Sequence, residues 1–320
     1  MKLTPVFIFS LPRSGSTLLQ KILAVQPGFS TISEPWILLP LLNSKKEEGG
    51  LAKYGHRLCA EALNDLIGKM GWEEAYYERL RAFILSIYRS VSSESSRFFV
   101  DKTPRYYLII AEIAQLFPNA KFIFLFRDPV EIFSSVITTC RDNSFVLHGS
   151  YVDLYDAPGL LARGYEELKN KSVKVRYEDL VSFPEREGKR LFEYLGVEGD
   201  VSLLEGSAEL ELNGRMGDKP RGAKNTEICT DSIRKWEKVI DTPFRKWTVL
   251  RYVKGLPEEF FKCSGYDRQS ILKDVGSLKT KFRWSMVYEV AKYCFSVVYR
   301  FLNLNMFVGE QRWAVKDFMS

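Results

Sequence analysis

The fold is decided by a stretch near the start of the chain, VFIFSLPRSGSTLL at residues 6–19. Residues 6–11 form a short apolar run that Pro12 ends, a pattern typical of a buried parallel strand. Residues 14–17 then open a segment whose apolar side chains recur at helical spacing. The sequence therefore predicts a strand, a loop and a helix in direct succession, and the N-terminus of the helix favours an anion bound in the loop.

Strands and helices alternate further along the chain. Apolar runs predict strands at residues 98–100, 121–126 and 173–175. Helical patterns occur at 57–70, at 74–92, at about 106–117, from Asp128-Pro129 onward and at about 184–195. Such alternation predicts an α/β fold of three layers, in which helices flank a parallel sheet and ligand sites lie at the carboxyl ends of the strands. Residues 205–235 are polar and irregular, which predicts a long loop over the ligand site.

The chain has 320 residues, of which 46% are hydrophobic, so it can bury the core of one large domain. We expect this domain to span residues 1–268. Residues 269–320 are expected to form a basic linker and an amphipathic C-terminal helix, because polar residues between Glu289 and Asn303 recur at helical spacing. The segment 284–304 has three possible roles: packing against the domain, pairing in a homodimer, or peripheral contact with a membrane. Basic residues that would favour the membrane precede it, namely Lys273, Lys279, Lys281 and Arg283.

Charge and cysteine content exclude several classes of protein. The formal charge of +6, from 46 basic and 40 acidic residues, suits an anionic ligand but is too small an excess for nucleic-acid binding. Five cysteines lie far apart without a CxxC pair, and the chain has two histidines, so we expect neither a zinc site nor a disulfide framework. The same cysteines favour a reducing compartment, the cytoplasm, and no apolar stretch reaches the length of a membrane span.

The loop at residues 12–17 differs from the phosphate loop of nucleotide triphosphatases. That loop reads GxxxxGK[ST], whereas here Ser14 precedes Gly15 and no lysine follows it. The sequence therefore predicts a phosphate-like group bound without a metal ion. Two alternatives remain: a kinase-like phosphoryl transferase on the same scaffold, which the missing lysine disfavours, and an ordinary strand-to-helix turn.

Residues 11–19, LPRSGSTLL, resemble the 5′-phosphosulfate loop of the sulfotransferase family, and further motifs extend the resemblance over roughly residues 5–200. The resemblance implies the sulfotransferase variant of the P-loop nucleotide-binding fold, with 3′-phosphoadenosine-5′-phosphosulfate (PAPS) as the donor. It also implies which residues of the loop bind this donor: Arg13, Ser14, Gly15, Ser16 and Thr17.

A second family segment, RDPVEIFSS at residues 127–135, follows the third predicted strand. By resemblance, Arg127 and Ser135 hold the 3′-phosphate of the donor across two turns of helix. The alternative for Arg127 is a surface ion pair with a neighbouring acid. Residues 176–180, RYEDL, resemble the family segment whose tyrosine lies by the adenine. Tyr177 is therefore a candidate purine contact, or else a half-buried core aromatic.

Glu34 and Lys102 are the candidate catalytic residues, together with Arg13. In SEPW, residues 33–36, the glutamate stands where protein-tyrosine sulfotransferases and many bacterial relatives have their catalytic base, so it is expected to take the proton of the acceptor hydroxyl. Residues 101–104, DKTP, resemble a family segment whose lysine stabilises charge on the sulfuryl or bridging oxygens. The structural alternatives are a helix cap for the glutamate and a solvent-exposed position for the lysine.

The acceptor is expected to be a saccharide or a glycolipid, because the bacterial enzymes that the chain resembles are often supposed to act on free or lipid-linked saccharides. Aromatic side chains suit a sugar ring or a flat phenol, and the candidates are Trp36, Trp72, Tyr76 and Tyr77. Residues 219–222, KPRG, are a weak match to a late donor contact of the family. A nucleotide-binding protein without catalytic activity is the remaining alternative.

Overall fold

A five-stranded parallel sheet carries the loop at residues 12–17. The computed structural model describes residues 3–47, 55–69, 71, 73–139, 147–214, 228 and 230–301. The chain divides into two compact units, of which the first contains Met1–Asp128, Ala157–Ile233 and Pro257–Gly265 and the second contains Pro129–Asp156, Arg234–Leu256 and Tyr266–Ser320. The sheet belongs to the first unit. The domain boundary predicted at residue 268 stays a prediction.

The strands are β1 (Thr4–Ser10), β2 (Phe29–Thr31), β3 (Phe98–Asp101), β4 (Lys121–Phe126) and β5 (Ser172–Arg176). They run parallel in the order β2-β3-β1-β4-β5, with Val6 opposite Val100 and Phe7 opposite Phe122. After β1 the chain crosses toward β2, whereas after β4 it crosses toward β5 on the other side. The carboxyl ends of β1 and β4 therefore flank the topological switch point, where sheets of this class bind their ligands.

The helices among the described residues are α1 (Ser16–Ala24), α2 (Leu38–Asn43), α3 (His56–Lys69), α4 (Glu73–Ser90), α5 (Ile110–Leu116), α6 (Pro129–Thr139), α7 (Ala157–Leu168), α8 (Tyr177–Ser182), α9 (Pro184–Leu195), α10 (Trp236–Val239), α11 (Pro243–Gly255), α12 (Glu258–Ser264), α13 (Arg268–Ser277) and α14 (Ser285–Phe301). Short 3₁₀ turns occur at Pro104–Leu108, His148–Ser150, Lys169–Lys171, Val201–Glu209 and Thr230–Ser232, and a π-helix occurs at Val152–Asp156.

Helices cover both faces of the sheet, which confirms the predicted three layers. On one face Val6 and Ile8 lie in an apolar cluster with side chains of α1 and α9. Because successive side chains of a strand point to opposite faces, Phe7 and Phe9 face the other layer. There the Phe7 ring lies 5.4 Å from that of Phe117, directly after α5, and the rings of Phe124 and Tyr165 in α7 are 5.4 Å apart. Burial on both faces explains why β1 and β4 read as continuous apolar runs.

The structure differs from the prediction in several segments. The helix expected at about 106–117 is a 3₁₀ turn followed by α5, because the tighter turn keeps the Tyr106 hydroxyl against the end of β3. Part of the loop expected at 205–235 is helical: the turn Val201–Glu209 is capped by Asp200 and buries Leu204. Six-residue α8 was missed because it is too short to show a helical period.

The second unit is helical where it is described. It contains α6, α10, α11, α13 and α14. Arg245 of α11 makes an ion pair with Glu289 of α14 and also donates to the Val239 carbonyl oxygen. Within the described part of the chain, no helix is long and apolar enough to cross a bilayer.

Candidate active site

The loop after β1 has an unusual backbone that aims the start of α1 at the switch point. Arg13 has φ +70° and Gly15 has φ +86°, so both lie in the left-handed region. The first N–H groups of a helix have no acceptor within the helix, and here they belong to Ser16 and Thr17. Together with the helix dipole, these groups make the loop suited to an anion.

Gly15 is required at its position by a close approach as well as by its backbone angle. A Cβ atom there would lie 2.2 Å from the Tyr177 ring atom Cε2, so only glycine leaves room for the ring. The Tyr177 hydroxyl lies 2.6 Å from Ser232 Oγ. The ring also belongs to the apolar cluster under α1, so Tyr177 joins the core to the loop.

Arg127, directly after β4, holds the same loop from the other side of the switch point. Its Nη1 donates to the Arg13 carbonyl oxygen at 2.9 Å, its Nη2 donates to the Ser232 carbonyl oxygen at 3.0 Å, and its guanidinium lies 4.2 Å from the Tyr177 ring centroid. Arg127 is 9% exposed, so it is not the surface side chain of the alternative reading. Ser135 belongs to α6 in the second unit, and its pairing with Arg127 stays a prediction.

The fit of a phosphate group to the loop can be judged from Ser14. The Ser14 side chain is fully buried in the loop, and its Oγ has no hydrogen-bond partner among the described residues. A buried hydroxyl without a partner is costly unless a ligand atom supplies one. The loop residues present therefore fit the phosphosulfate end of a PAPS donor.

Glu34 and Lys102 form a buried ion pair beside the first turn of α1. Lys102 Nζ donates to Glu34 Oε1 at 2.6 Å and to Thr17 Oγ1 at 3.4 Å. Trp36 Nε1 donates to the other carboxylate oxygen, Glu34 Oε2, at 3.1 Å. The two candidate catalytic side chains thus meet at the anion loop, although 68 positions separate them in the sequence.

The structural alternatives for this pair are wrong. Lys102, directly after β3, is 2% exposed and is among the largest fully buried side chains of the described residues. Glu34 caps no helix, since α2 begins at Leu38 after an uncapped Ile37. Two residues after Glu34, Trp36 has φ +54°, in the left-handed region.

Two features beside the pair go beyond the site residues that the sequence identified. The carbonyl oxygen of Asn213 accepts a hydrogen bond from the Ser33 N–H at 2.7 Å, and a Cβ at Gly214 would lie 2.7 Å from Ser33 Cβ. The polar segment that follows α9 therefore reaches the residue before Glu34. Asp101, which precedes Lys102, is fully buried and accepts three side-chain hydrogen bonds. A buried acid in an otherwise apolar strand is the signal that could have identified it.

Several predicted contacts lie apart from this cluster or outside the described residues. Tyr76 and Tyr77 form an edge-to-face pair beside Lys45, whose Nζ donates to the Tyr77 hydroxyl at 3.0 Å. Trp72 and residues 219–222 are outside the described part of the chain. Within that part, no group of three or more His, Cys, Asp or Glu side chains could hold a metal ion.

The amino-acid sequence is similar to those of known proteins. The profile of the sulfotransferase family matches residues 5–200. Nodulation protein NoeE of Sinorhizobium fredii is 26% identical, over 72% of this chain and 59% of its own length. Protein-tyrosine sulfotransferase A of Caenorhabditis elegans is 24% identical, over 79% of this chain and 62% of its own length. The chain therefore spans about three fifths of the length of these curated relatives.

Solved structures show the same fold. The sulfotransferase domain of the Synechococcus PCC 7002 olefin synthase superposes with a TM-score of 0.52 at 25% identity, covering 83% of this chain and 96% of that domain. The sulfotransferase domain of the curacin biosynthetic pathway gives a TM-score of 0.51 at 21% identity, covering 83% and 98%. The parallel sheet with its loop at the switch point is the fold of these domains.

Proposed function

The chain belongs to the sulfotransferase family, and from this premise we propose that it transfers a sulfuryl group from PAPS to a hydroxyl group of an acceptor. The observation that carries the proposal is the buried pair of Lys102 and Glu34 at the first turn of α1. An acid and a base are held there beside an anion loop whose buried Ser14 hydroxyl has no partner among the described residues. Sulfuryl transfer needs these three elements in one place.

In this proposal the donor is bound by the residues at the switch point. The phosphosulfate lies in the loop, with Arg13, Ser14, Gly15, Ser16 and Thr17 around it. Arg127 and Ser135 hold the 3′-phosphate, and Tyr177 contacts the adenine. Two observations support Arg127 and Tyr177: each contacts the loop, at Arg13 and Gly15 respectively, and the guanidinium of Arg127 lies over the Tyr177 ring.

The reaction forms a bond between the acceptor oxygen and sulfur and breaks the bond between sulfur and the phosphate oxygen of the donor. The acceptor proton passes to Glu34, a transfer that a positioned base accelerates by roughly 10²- to 10⁴-fold. Negative charge develops on the departing phosphate, where Lys102 and Arg13 stabilise it. Protonation of Glu34 also removes the anion that Lys102 faces in the resting state. The lysine charge then acts on the phosphate at the stage of the reaction when it is needed.

We propose a saccharide or a glycolipid as the acceptor. Trp36 supports this choice, because its indole N–H donates to Glu34 and its ring therefore lies beside the proposed base. An aromatic face next to a base suits a sugar hydroxyl, but it also suits a phenol. Protein-tyrosine sulfotransferases among the relatives make a tyrosine hydroxyl the competing acceptor.

The test of the function is calorimetric titration without magnesium, followed by an acceptor screen. Adenosine-3′,5′-bisphosphate, the donor product, should bind tightly and ATP weakly. The reverse preference, or a magnesium requirement, would favour the kinase-like phosphoryl transferase instead. Sulfur-labelled PAPS is then offered with glycans, glycolipids and tyrosine peptides. Label on peptides alone would overturn the saccharide proposal, and donor binding without label on any acceptor would favour the nucleotide-binding protein without catalytic activity.

We propose the cytoplasm as the location, with peripheral contact through α14 at an anionic lipid surface. Free thiols at Cys59, Cys263 and Cys294 suit a reducing compartment. Glu289 and Ser296 of α14 are buried, and Glu289 binds Arg245, whereas the apolar residues of the helix face outward and include Phe301, which is 86% exposed.

The charge of the residues before α14 indicates which surface the helix would contact. Exposed Lys279, Lys281 and Arg283 precede the apolar face, and this combination fits acidic headgroups above acyl chains. The full chain should co-sediment with anionic vesicles. Phe295→Glu should abolish this, whereas Phe83→Glu, at a similarly exposed phenylalanine of α4, should not; the wild-type side chains are 58% and 52% exposed. Equal recovery of all three proteins in the supernatant, or a dimer that Phe295→Glu disrupts, would overturn the membrane contact.

A further inference from the structure

A buried hydrogen-bond network surrounds the carboxylate of Asp101 at the end of β3. Asp101 Oδ2 accepts from the hydroxyl groups of Tyr88, at 2.5 Å, and Tyr106, at 2.9 Å. Asp101 Oδ1 accepts from Thr103 Oγ1 at 3.1 Å. All four side chains are at most 2% exposed. A carboxylate so deeply buried needs a set of donors of this kind, because an unpaired charge in the interior is very costly.

Two of the three hydroxyl groups extend the network to the segment that carries the proposed base. Thr103 Oγ1 accepts from the Trp36 backbone N–H at 3.3 Å. The Tyr106 hydroxyl accepts from the Leu38 backbone N–H at 3.4 Å. Tyr88, in contrast, ends the network on the side of α4, where its ring stacks on that of Phe99. The network therefore has two arms that reach the segment after Glu34 and one that does not.

The charge of Asp101 sets the direction of every bond in these arms. An ionised carboxylate only accepts, so each hydroxyl must donate its single proton to Asp101. The lone pairs of Thr103 Oγ1 and of the Tyr106 hydroxyl then face outward and can accept from backbone N–H groups. A neutral amide at position 101 would donate through its nitrogen and reverse at least one arm. The reversed hydroxyl would turn its proton away from position 101, toward the side of the backbone N–H, and its hydrogen bond with that N–H would weaken.

The same network fixes the direction of Lys102. In extended chain, alternate side chains lie on the same side, so Asp101 and Thr103 share one side and Lys102 lies on the other. Thr103 has extended backbone angles of φ −120° and ψ 124°. The Thr103 hydroxyl donates to Asp101 and so holds these two side chains on one side of the chain. Lys102 lies on the opposite side, where it faces Glu34 and Thr17.

We propose that Asp101 is a positioning residue, which orients the Thr103 and Tyr106 hydroxyl groups so that they hold the backbone at Trp36 and Leu38 and thereby keep Glu34 against Lys102. The inference rests on the roles proposed for Glu34 and Lys102. It assigns to Asp101 no contact with the donor or the acceptor.

Backbone strain at Trp36 supports the proposal independently. A φ of +54° is unfavourable for any residue with a side chain and costs about 1–2 kcal/mol. Such strain persists where surrounding contacts determine the conformation. At Trp36 those contacts are the backbone bond to Thr103 and the indole bond to Glu34. Without the arm through Thr103, the segment would relax and the carboxylate of Glu34 would move with it.

The test compares three variants, each of which removes one of the hydroxyl groups that donate to the Asp101 carboxylate. Thr103→Val and Tyr106→Phe cut the two arms that reach the Glu34 segment, and Tyr88→Phe is the matched control. The first readout is amide hydrogen exchange of the isotope-labelled full chain by NMR, which needs neither donor nor acceptor. Thr103→Val should speed exchange at Trp36, and Tyr106→Phe should speed it at Leu38. We expect roughly a tenfold change, which corresponds to about 1.4 kcal/mol for one hydrogen bond.

The second readout is turnover of PAPS with the acceptor that the screen identifies. Both arm variants should lower kcat by about tenfold or more and leave the donor KM within about twofold, since a displaced base affects the reaction rather than donor binding. Tyr88→Phe should leave both readouts near wild type. Asp101→Asn should speed exchange at Trp36 or Leu38, because one arm must reverse.

The outcomes separate this inference from the proposed function. Equal effects of all three hydroxyl deletions, or no effect on exchange, would overturn the positioning role whether or not the protein binds PAPS. Altered exchange with unchanged kcat would overturn it as well. If the variants change amide exchange as expected but the protein fails to bind the bisphosphate, the sulfotransferase proposal is refuted. The reaction for which Asp101 positions Glu34 is then refuted with it.

Discussion

Replacing Lys102 by methionine removes the charge of a buried ion pair and keeps most of the side-chain volume. Lys102 Nζ lies 2.6 Å from Glu34 Oε1, and the two side chains are 2% and 9% exposed. At an effective dielectric constant of about 20, unit charges at this distance attract by about 6 kcal/mol, and desolvation offsets part of that. Because Lys102→Met leaves Glu34 as an uncompensated buried charge, we expect a loss of about 3–5 kcal/mol in the free energy of unfolding.

A double-mutant cycle by chemical denaturation measures the interaction. Glu34→Gln retains an oxygen that can accept from Lys102, so it should cost less than the lysine substitution. The double variant Lys102→Met/Glu34→Gln buries no charge at this position. It should therefore be more stable than the sum of the two single effects predicts, by about 2 kcal/mol or more.

A control pair separates burial from charge. Lys69 and Asp65 are 2.8 Å apart on the surface of α3, and both side chains are largely exposed. Lys69→Met should leave the unfolding curve unchanged, because solvent screens such pairs. Additive effects at Lys102 and Glu34, or a loss as small as that of the control, would refute the reasoning, since two groups in contact in the interior must be coupled.

Three further predictions follow from single positions. Glu34→Gln should lower turnover by about 10²- to 10⁴-fold with unchanged affinity for the bisphosphate, and normal turnover would exclude it as the base. Gly15→Ala places a methyl group 2.2 Å from the Tyr177 ring at φ +86°, so calorimetry should show roughly tenfold weaker bisphosphate binding, whereas Gly68→Ala, in open space, should bind normally; equal affinities would contradict the close approach. Burial raises the pKa of Asp101 from 3.8 to about 6, against opposing hydrogen bonds and the Lys102 charge. Between these two pKa values the folded protein binds more protons than the unfolded protein. The free energy of unfolding of the wild type should therefore rise by up to about 3 kcal/mol relative to that of Asp101→Asn as the pH falls from about 7 to about 4. A difference in denaturation midpoints that stays constant with pH would count against this.

The strand, loop and helix around Gly15 were predictable because their information is local. An apolar run, a proline and a helical apolar pattern follow one another within 14 residues of the printed stretch at 6–19. The candidate roles of Glu34 and Lys102 follow from the resemblance to the sulfotransferase family, which does not indicate that the two side chains are in direct contact. Contact between residues 68 positions apart depends on the pairing of β2 with β3, which local patterns do not encode.

The last helix shows where the pattern is insufficient. A stripe of polar residues predicts that α14 is amphipathic, and the structure agrees. The direction of the stripe depends on a partner, since Arg245 draws Glu289 inward and turns the apolar residues outward. Positive φ at Arg13 and Trp36 is likewise invisible in the sequence, because both conformations are imposed by contacts rather than by residue type.

The central place of β1 in the sheet has a consequence for synthesis on the ribosome. Ser10 of β1 pairs with Leu125 of β4, which emerges 115 residues later. At translation rates of about 5–20 residues per second, β1 waits roughly 6–23 s for this neighbour. Until β3 emerges, Phe7 and Phe9 belong to an unpaired apolar strand, and until β4 emerges one edge of this strand remains open, which makes it a natural target for chaperones. A slow run of codons between β1 and β4 would lengthen the wait and lower the yield of native protein.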